Sequence, residues 1–416
     1  MSSDRIAHRN YGGTGSGLRD GHSVTEIRGG TVVTPEGTIE DGCILLERGW
    51  IRDVRSTTGS DAATVIDASD RVIMPGIVDL HGDDIEHHLF PRSGARVDER
   101  LALSAADRAN VASGVTTKFH AISFEDAVEE NRTLDLARDL TRTIQETDGF
   151  LGNNRVHARC ELGCESHDAV EDFLTDNVVD LVSLVNHVPG SGQFDDVEEF
   201  QRRYVGDRDL SSSAVEQLAE RRSSVSSDVV NDRVEAIVEN AHASGIPLAS
   251  HDDETPAEVE RAATCGATIC EYPLTMAAAR RATELGMYTV MGAPNLVRGG
   301  SLWDNLDARE AAREGVVDVL CSDYHPPSLL AAPFVETGEP LHVRVARVTK
   351  NPADVVGLLR RGRLERGARA DVLVVDPEPV PTVDHAFVGG RDVFRASDRS
   401  MSPEPPDRNR EPSEFR

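Results

Sequence analysis

Six side chains in this sequence have the chemistry to hold divalent cations: His81 and Asp83 in Ile77-Val78-Asp79-Leu80-His81-Gly82-Asp83, Glu161 in Arg159-Cys160-Glu161, His187 in Val185-Asn186-His187, His251 in Ala249-Ser250-His251, and Asp323 in Cys321-Ser322-Asp323. Each closes a short apolar run of strand character. Side chains alternate between the two faces of a strand, so His81 and Asp83 are expected to project to the same side. A single His-x-Asp, or a lone acid at a strand end, is more often structural or solvated than a ligand; five strand ends behaving alike carry the argument. Three imidazoles and three carboxylates suffice for two divalent ions with one carboxylate shared, zinc first and manganese or iron next. Such a pair lowers the pKa of a water it holds from about 15.7 towards roughly 7 and polarises the oxygen under attack. Asp323, expected opposite His81 across a closed ring of strands, is then placed to act as general base as well as ligand.

Ligands at several strand ends need a scaffold that delivers those ends to one place. Between residues 74 and 363 strand-like and helix-like runs alternate over nearly the length of a (β/α)8 barrel, a fold whose chemistry gathers where strands end. The strand-like runs are Ile77–Asp83, Gly114–His120, Arg155–Glu161, Val178–His187, Ile246–His251, Ala267–Glu271, Tyr288–Met291 and Val317–Asp323. Helices are expected over Glu125–Glu146, Val230–Ala243 and Ala257–Ala263 among others. The stretch from Pro189 to about Asp228, rich in Asp, Glu, Arg and Ser, reads as an insertion over one barrel mouth, in the position of a lid. Short strands punctuated by turns such as Pro35-Glu36-Gly37 and Arg48-Gly49 fill 23–73, and the same texture returns over 364–398, so the two chain ends are expected to build one small β-sandwich. Residues 1–22 and 399–416 have the composition of disordered tails. The glycines at 12–17 lack the lysine and the preceding strand of a phosphate loop.

The 416 residues carry 44 Lys+Arg against 72 Asp+Glu, a formal charge of −28, and lysine occurs only at Lys118 and Lys350. Such a surface suits a protein kept soluble in very high salt, where self-repulsion is screened. The same charge argues against nonspecific binding to nucleic acid or to anionic membranes. Six cysteines without a Cys-x-x-Cys pair read as reduced intracellular thiols. With no apolar run long enough to span a membrane and no apolar leader, the expected location is the cytoplasm. A homo-oligomer, most simply a dimer, is the expected assembly.

Lys350-Asn351-Pro352-Ala353, the run from Gly362 to Asp371, the strand-end ligands and the paired chain ends together resemble the amidohydrolase superfamily: metal-dependent hydrolases with a (β/α)8 barrel and a sandwich from both termini. Within it, Met74 to His81, Ser250-His251-Asp252-Asp253-Glu254-Thr255, Val290 to Ser301 and Cys321-Ser322-Asp323-Tyr324 are similar to the diphosphatase branch of carbon–phosphorus lyase metabolism, over most of 24–395. The resemblance implies hydrolysis of α-D-ribose 1-methylphosphonate 5-triphosphate to the 5-phosphate and diphosphate. The sequence departs from the pattern at Lys118 and His120, where a small apolar residue and an acid are usual and where both side chains are candidates to face the barrel mouth. Some superfamily members bridge their metals with a carboxylated lysine, so Lys118 competes with Glu161 for that role. Asn186 stands where an acid is more familiar beside His187. A triphosphate calls for cationic forks and donors; Arg298 in its glycine-flanked loop, Arg92 in Phe90-Pro91-Arg92-Ser93-Gly94, His88 and Asn295 are the expected substrate contacts. Two other readings stay open: a hydrolase or deaminase of the same fold acting on a cyclic amide or an aminated heterocycle, and a non-catalytic barrel scaffold.

Overall fold

The structure, a computed structural model, describes residues 24–56, 62–127, 131–187, 212–302 and 305–396. The tails expected at 1–22 and 399–416, and the expected insertion up to residue 211, lie outside the described residues.

Five strands come first: β1 (Thr25–Thr34), β2 (Gly37–Glu47), β3 (Trp50–Arg55), β4 (Thr64–Asp67) and β5 (Val72–Pro75). Eight more form the barrel: β6 (Ile77–Gly82), β7 (Val115–Phe124), β8 (Asn153–Glu161), β9 (Leu181–Val185), β10 (Leu248–His251), β11 (Ile269–Glu271), β12 (Tyr288–Gly292) and β13 (Val319–Cys321). Three last strands, β14 (Val372–Asp376), β15 (Thr382–Val388) and β16 (Arg391–Arg395), return to the first five. The barrel strands pair in chain order, each parallel to the next. First and last meet where Asp323 N donates to His81 O (2.9 Å) and Asp83 N donates to Asp323 O (3.1 Å).

Both faces of these strands are buried, as a parallel sheet under helices requires. Val156, Ala158, Val182, Leu248 and Cys270 face outward into a core shared with helices such as Leu134–Glu146. Val78, Leu80, Phe119, Leu181, Ala249, Ile269, Val290 and Val319 fill the interior. Ala353 and Val356 join that cluster from the segment around the helix Lys350–Val355, and Asn351 Nδ2 donates to Asp318 O (2.8 Å), so Lys350-Asn351-Pro352-Ala353 closes the barrel floor.

The chain ends meet as expected. β14 pairs antiparallel with β5, which runs straight into β6. Val33, Met74, Leu373 and Val375 share a core with the barrel's Ile77 and Val115. Ile27, Ile44, Ile51, Val374 and Phe387 form a second core on the other face. Ile51 N donates to Ala368 O (2.8 Å) and Gly367 N to Ile51 O (2.9 Å), so the sheet curls until β3 meets the approach to β14. The expected sandwich is one continuous curled sheet. No helix among the described residues is long and apolar enough to cross a membrane.

Simple alternation fails on β6, and the failure shapes the site. Its register with β7 slips between Asp79 and Gly82. Leu80 packs into the barrel interior, while Asp79 accepts from Lys118 Nζ (2.7 Å) and from Ser322 Oγ (2.5 Å). The slip turns the next residue, His81, back to the mouth, which a regular strand would not do. Gly82 is required by close approach: an added Cβ would lie 1.9 Å from Lys118 Nζ and 2.4 Å from Ser322 Oγ.

Candidate active site at the barrel mouth

The strand ends deliver a buried cluster of imidazoles and carboxylates. His81 Nδ1 lies 3.3 Å from Glu271 Oε1, and His251 Nδ1 lies 3.3 Å from Glu271 Oε2. Glu271 ends β11 and is wholly buried. Burial alone would raise its carboxyl, but His157 and His81 outweigh it and hold the group well below the usual range. Ser183 Oγ donates to Glu271 Oε2 (2.6 Å), His157 Nε2 stands 2.5 Å from that hydroxyl, and His157 Nδ1 donates to Leu80 O (2.9 Å). This chain of outer partners fixes the carboxylate from behind. The Tyr272 ring packs edge-on against both His81 (5.1 Å) and His251 (5.2 Å).

A second group stands beside the first. His187 Nδ1 lies 2.7 Å from Glu161 Oε2, and Arg222 Nη2 lies 3.8 Å from the same oxygen while donating to Glu125 Oε2 (2.7 Å). Burial would raise Glu161, but Arg222 and His187 lower it; burial would lower His187, but Glu161 and Asp252 raise it. Asp252 joins the groups, its Oδ2 being 3.4 Å from His251 Nε2 and 3.9 Å from His187 Nε2. The helix Pro256–Thr264 starts directly beyond, with a Thr255–Glu258 capping box that fixes how the chain leaves the loop.

Asp83 and Asp323 complete the mouth with Arg159, whose Nη1 is 3.8 Å from Asp83 Oδ2. Partial burial and then Asp83 push the Asp323 carboxyl up to about 8. A divalent cation beside it would favour the anion, so metal uptake and loss of this proton are linked. Gly292 leaves room for the carboxylate: a Cβ there would lie 3.3 Å from Asp323 Oδ2. Three residues at strand ends, Asp252, Tyr272 and Asp323, have positive φ (58°, 52° and 55°). Their N–H groups still bond to the neighbouring strand, at Glu271 O, Val290 O and His81 O. Such backbone is uncommon outside glycine, costs about 1–3 kcal/mol a residue and clusters at functional sites.

Ligand atoms of His81, His251 and Glu271 lie within 4.8 Å of one another. Buried imidazole nitrogens and a carboxylate fixed below its usual pKa are the donor set that zinc-like divalent cations take, so these residues fit a metal ion. Glu271 and Asp252 were not among the six side chains singled out in the sequence, although both end or follow strand-like runs and Asp252 adjoins His251. Lys118 is engaged elsewhere: its Nζ contacts Asp79 Oδ2 (2.7 Å), Asp84 Oδ1 (2.6 Å) and Ser322 Oγ (2.9 Å). Burial would lower it, but Asp79 and Asp84 prevail and hold the ammonium above the ordinary lysine value. An amine held protonated by two carboxylates is not a nucleophile for carboxylation. Breaking such a buried pair costs about 3–5 kcal/mol, so the arrangement braces β6 and β7 under the site.

The expected substrate contacts are scattered. Asn295 uses its amide within the fold, its Nδ2 donating to Leu306 O (2.9 Å) and its Oδ1 accepting from Ala308 N (3.0 Å). Arg298 is exposed at the end of the helix Ala293–Arg298 and donates to Gly300 O (2.7 Å); its charge also reaches Tyr324, the neighbour of Asp323. Arg92 is exposed in a tight turn closed on Ala95, and His88 is partly buried in the helix Ile85–Leu89.

No family model matches the chain. Individual proteins do. The alpha-D-ribose 1-methylphosphonate 5-triphosphate diphosphatase of Escherichia coli is 33% identical over 371 residues, which cover 86% of this chain and 97% of that protein. An imidazolonepropionase of Solibacter usitatus is 26% identical over 387 residues, covering 86% of this chain and 88% of its own. Among solved structures, a prolidase complexed with N-methylphosphonate-L-proline superposes with a TM-score of 0.61 at 16% identity, over 90% of this chain and all of that one. The last likeness concerns the fold alone. The first, 33% identical and covering nearly all of that protein, places this chain in the family of ribose 1-methylphosphonate 5-triphosphate diphosphatases, hydrolases of the amidohydrolase superfamily.

Proposed function

We propose that this chain hydrolyses α-D-ribose 1-methylphosphonate 5-triphosphate to the 5-phosphate and diphosphate, with water attacking the α-phosphorus. The 33% identity to the Escherichia coli diphosphatase, over 86% of this chain and 97% of that protein, is the observation that carries this reading. His81, His251 and Glu271 would hold one divalent ion, and His187 with Glu161 offers donors for a second; Asp83 and Asp323 lie at the same mouth. Cations there would acidify the attacking water and offset charge on the phosphoryl group. Asp323 receives the proton as that water attacks, held by backbone bonds to His81 at the end of β6 and to Asp83 just beyond it. Ser183 and His157 hold Glu271 still through the step, and Arg222 does the same for Glu161. Diphosphate leaves as one unit once its charge is met.

The test is phosphorus NMR of the products made by metal-loaded protein. One diphosphate for each 5-phosphate is the expected result. Release of single phosphate, or inertness towards the triphosphate with turnover of a cyclic amide such as dihydroorotate, would favour a cyclic-amide hydrolase instead.

A further inference from the structure

Arg159 points into the barrel mouth from β8, two residues before Glu161, and is only 7% exposed. A guanidinium has five N–H donors. Other buried arginines of this protein are better engaged: Arg347 reaches both Glu339 oxygens and Val317 O, Arg222 donates to Glu125 Oε2 (2.7 Å), and Arg233, whose Nε also lacks a partner among the described residues, donates through Nη1 to Leu162 O (2.7 Å). Arg159 differs. Among the described residues its Nε is buried without a hydrogen-bond partner and its one close charged contact, the ion pair to Asp83 at 3.8 Å, is longer than a hydrogen bond. Its charge is nonetheless felt by His81, Asp252 and Asp323. A permanent cation set among groups that fit metal ions opposes metal binding, so the metal sites alone do not account for it. An anion with several oxygens does, because a planar fork meets two phosphoryl oxygens at once.

We propose that Arg159 is the phosphoryl clamp of this site, donating to oxygens of the α-phosphoryl group as water attacks. The proposal rests on the triphosphate reading above and adds a determinant of specificity to it. A neutral cyclic amide would leave the guanidinium buried without an anion, whereas a phosphoryl group engages it. Asp83, 3.8 Å away, orients the fork without occupying it.

The full chain, loaded with metal, is compared with Arg159→Ala, Arg159→Lys and Arg159→Gln. Three quantities are measured: bound metal per chain, affinity for inorganic tripolyphosphate by calorimetry, and kcat/KM for the triphosphate ester. The glutamine protein, polar and of similar reach, covers the case in which the alanine protein fails to fold. Tripolyphosphate affinity should fall roughly 10- to 100-fold in Arg159→Ala and Arg159→Gln, the scale of hydrogen bonds to a charged group, with less loss in Arg159→Lys and metal content unchanged. Added guanidinium ion should restore part of the turnover of the alanine protein. Unchanged tripolyphosphate affinity, or activity lost only in step with bound metal, would overturn the clamp. The two readings fail separately. If the natural protein does not cleave the triphosphate yet binds tripolyphosphate through Arg159, the clamp stands and the substrate is wrong. If it cleaves the triphosphate and Arg159→Ala matches it in all three measurements, the substrate stands and the clamp is wrong.

Discussion

The backbone N–H of Asp323 donates to the carbonyl oxygen of His81 across 2.9 Å, so the bond that closes the barrel also fixes the last strand-end carboxylate relative to the first imidazole. Asp83 N returns a bond to Asp323 O at 3.1 Å, locking the pair from both sides. The position of Asp323 is therefore set by backbone, and its side chain can be changed without opening the ring.

Asp323→Asn should keep the fold and much of the bound metal while turnover drops by roughly 10²- to 10⁴-fold, the usual worth of a positioned acid or base. Steady-state rates of metal-replete protein, with melting temperature as the control for folding, check this. Near-normal turnover would move the base elsewhere.

Glu271→Gln should lower the metal bound per chain below that of the natural protein, which is expected to hold close to two ions. Glutamine keeps the shape but removes the charge that stands 3.3 Å from both His81 and His251. Elemental analysis after purification without chelator is the measurement. Full metal content in Glu271→Gln would remove this carboxylate from the centre.

Much of this architecture is legible in the residues themselves. The alternation of apolar runs marks the eight barrel strands, and glycine-punctuated strands at both ends mark the second sheet. Strand ends flag His81, His187 and His251 because they recur: any one of them is more simply a structural histidine, and the coincidence of several strand ends carries the signal. Other parts depend on register. Alternation assigns His81 to the face of Asp79, and only the slip against β7 separates them. Glu271 ends a strand like Glu161 does, yet nothing local distinguishes it; its importance comes from His81 and His251, distant in the chain. Arg159 carries no motif signal beyond its place in Arg159-Cys160-Glu161, because an unsatisfied Nε is a property of packing.

Thermal melting should rise with salt into the molar range. At about 1 M salt the Debye length is about 3 Å, so repulsion among the carboxylates behind the −28 charge is largely screened. Melting across a salt series decides it. A temperature that is flat or falls as salt is added contradicts salt adaptation.

Burial of the neutral imidazoles of His120 and His157 should cost the metal-free chain stability in acid. Burial, against the pull of Asp84, holds His120 below the ordinary imidazole value, hydrogen-bonded to Asn154 and near Lys118 and Asp107. Below about pH 6.5 the unfolded chain takes up a proton that the folded chain resists, so this contribution is present above that pH and is lost on acidification. His157, pushed to about 3 chiefly by burial, acts in the same sense. Asp323, raised to about 8, and His187, also raised, pull the other way in the same window, so the test is the difference between proteins: in urea unfolding from pH 7.5 to 5 in chelator, His120→Asn should lose less stability on acidification than the natural protein. A pH dependence untouched by His120→Asn would reject this assignment.

Turnover of the ribose triphosphate in water enriched in heavy oxygen tests the central claim most directly. Attack at the α-phosphorus places one labelled oxygen in the ribose 5-phosphate product and none in the released diphosphate, and mass spectrometry of the two products reads this without ambiguity. Label in the diphosphate with unlabelled 5-phosphate, or no diphosphate formed by metal-replete protein, would contradict the account.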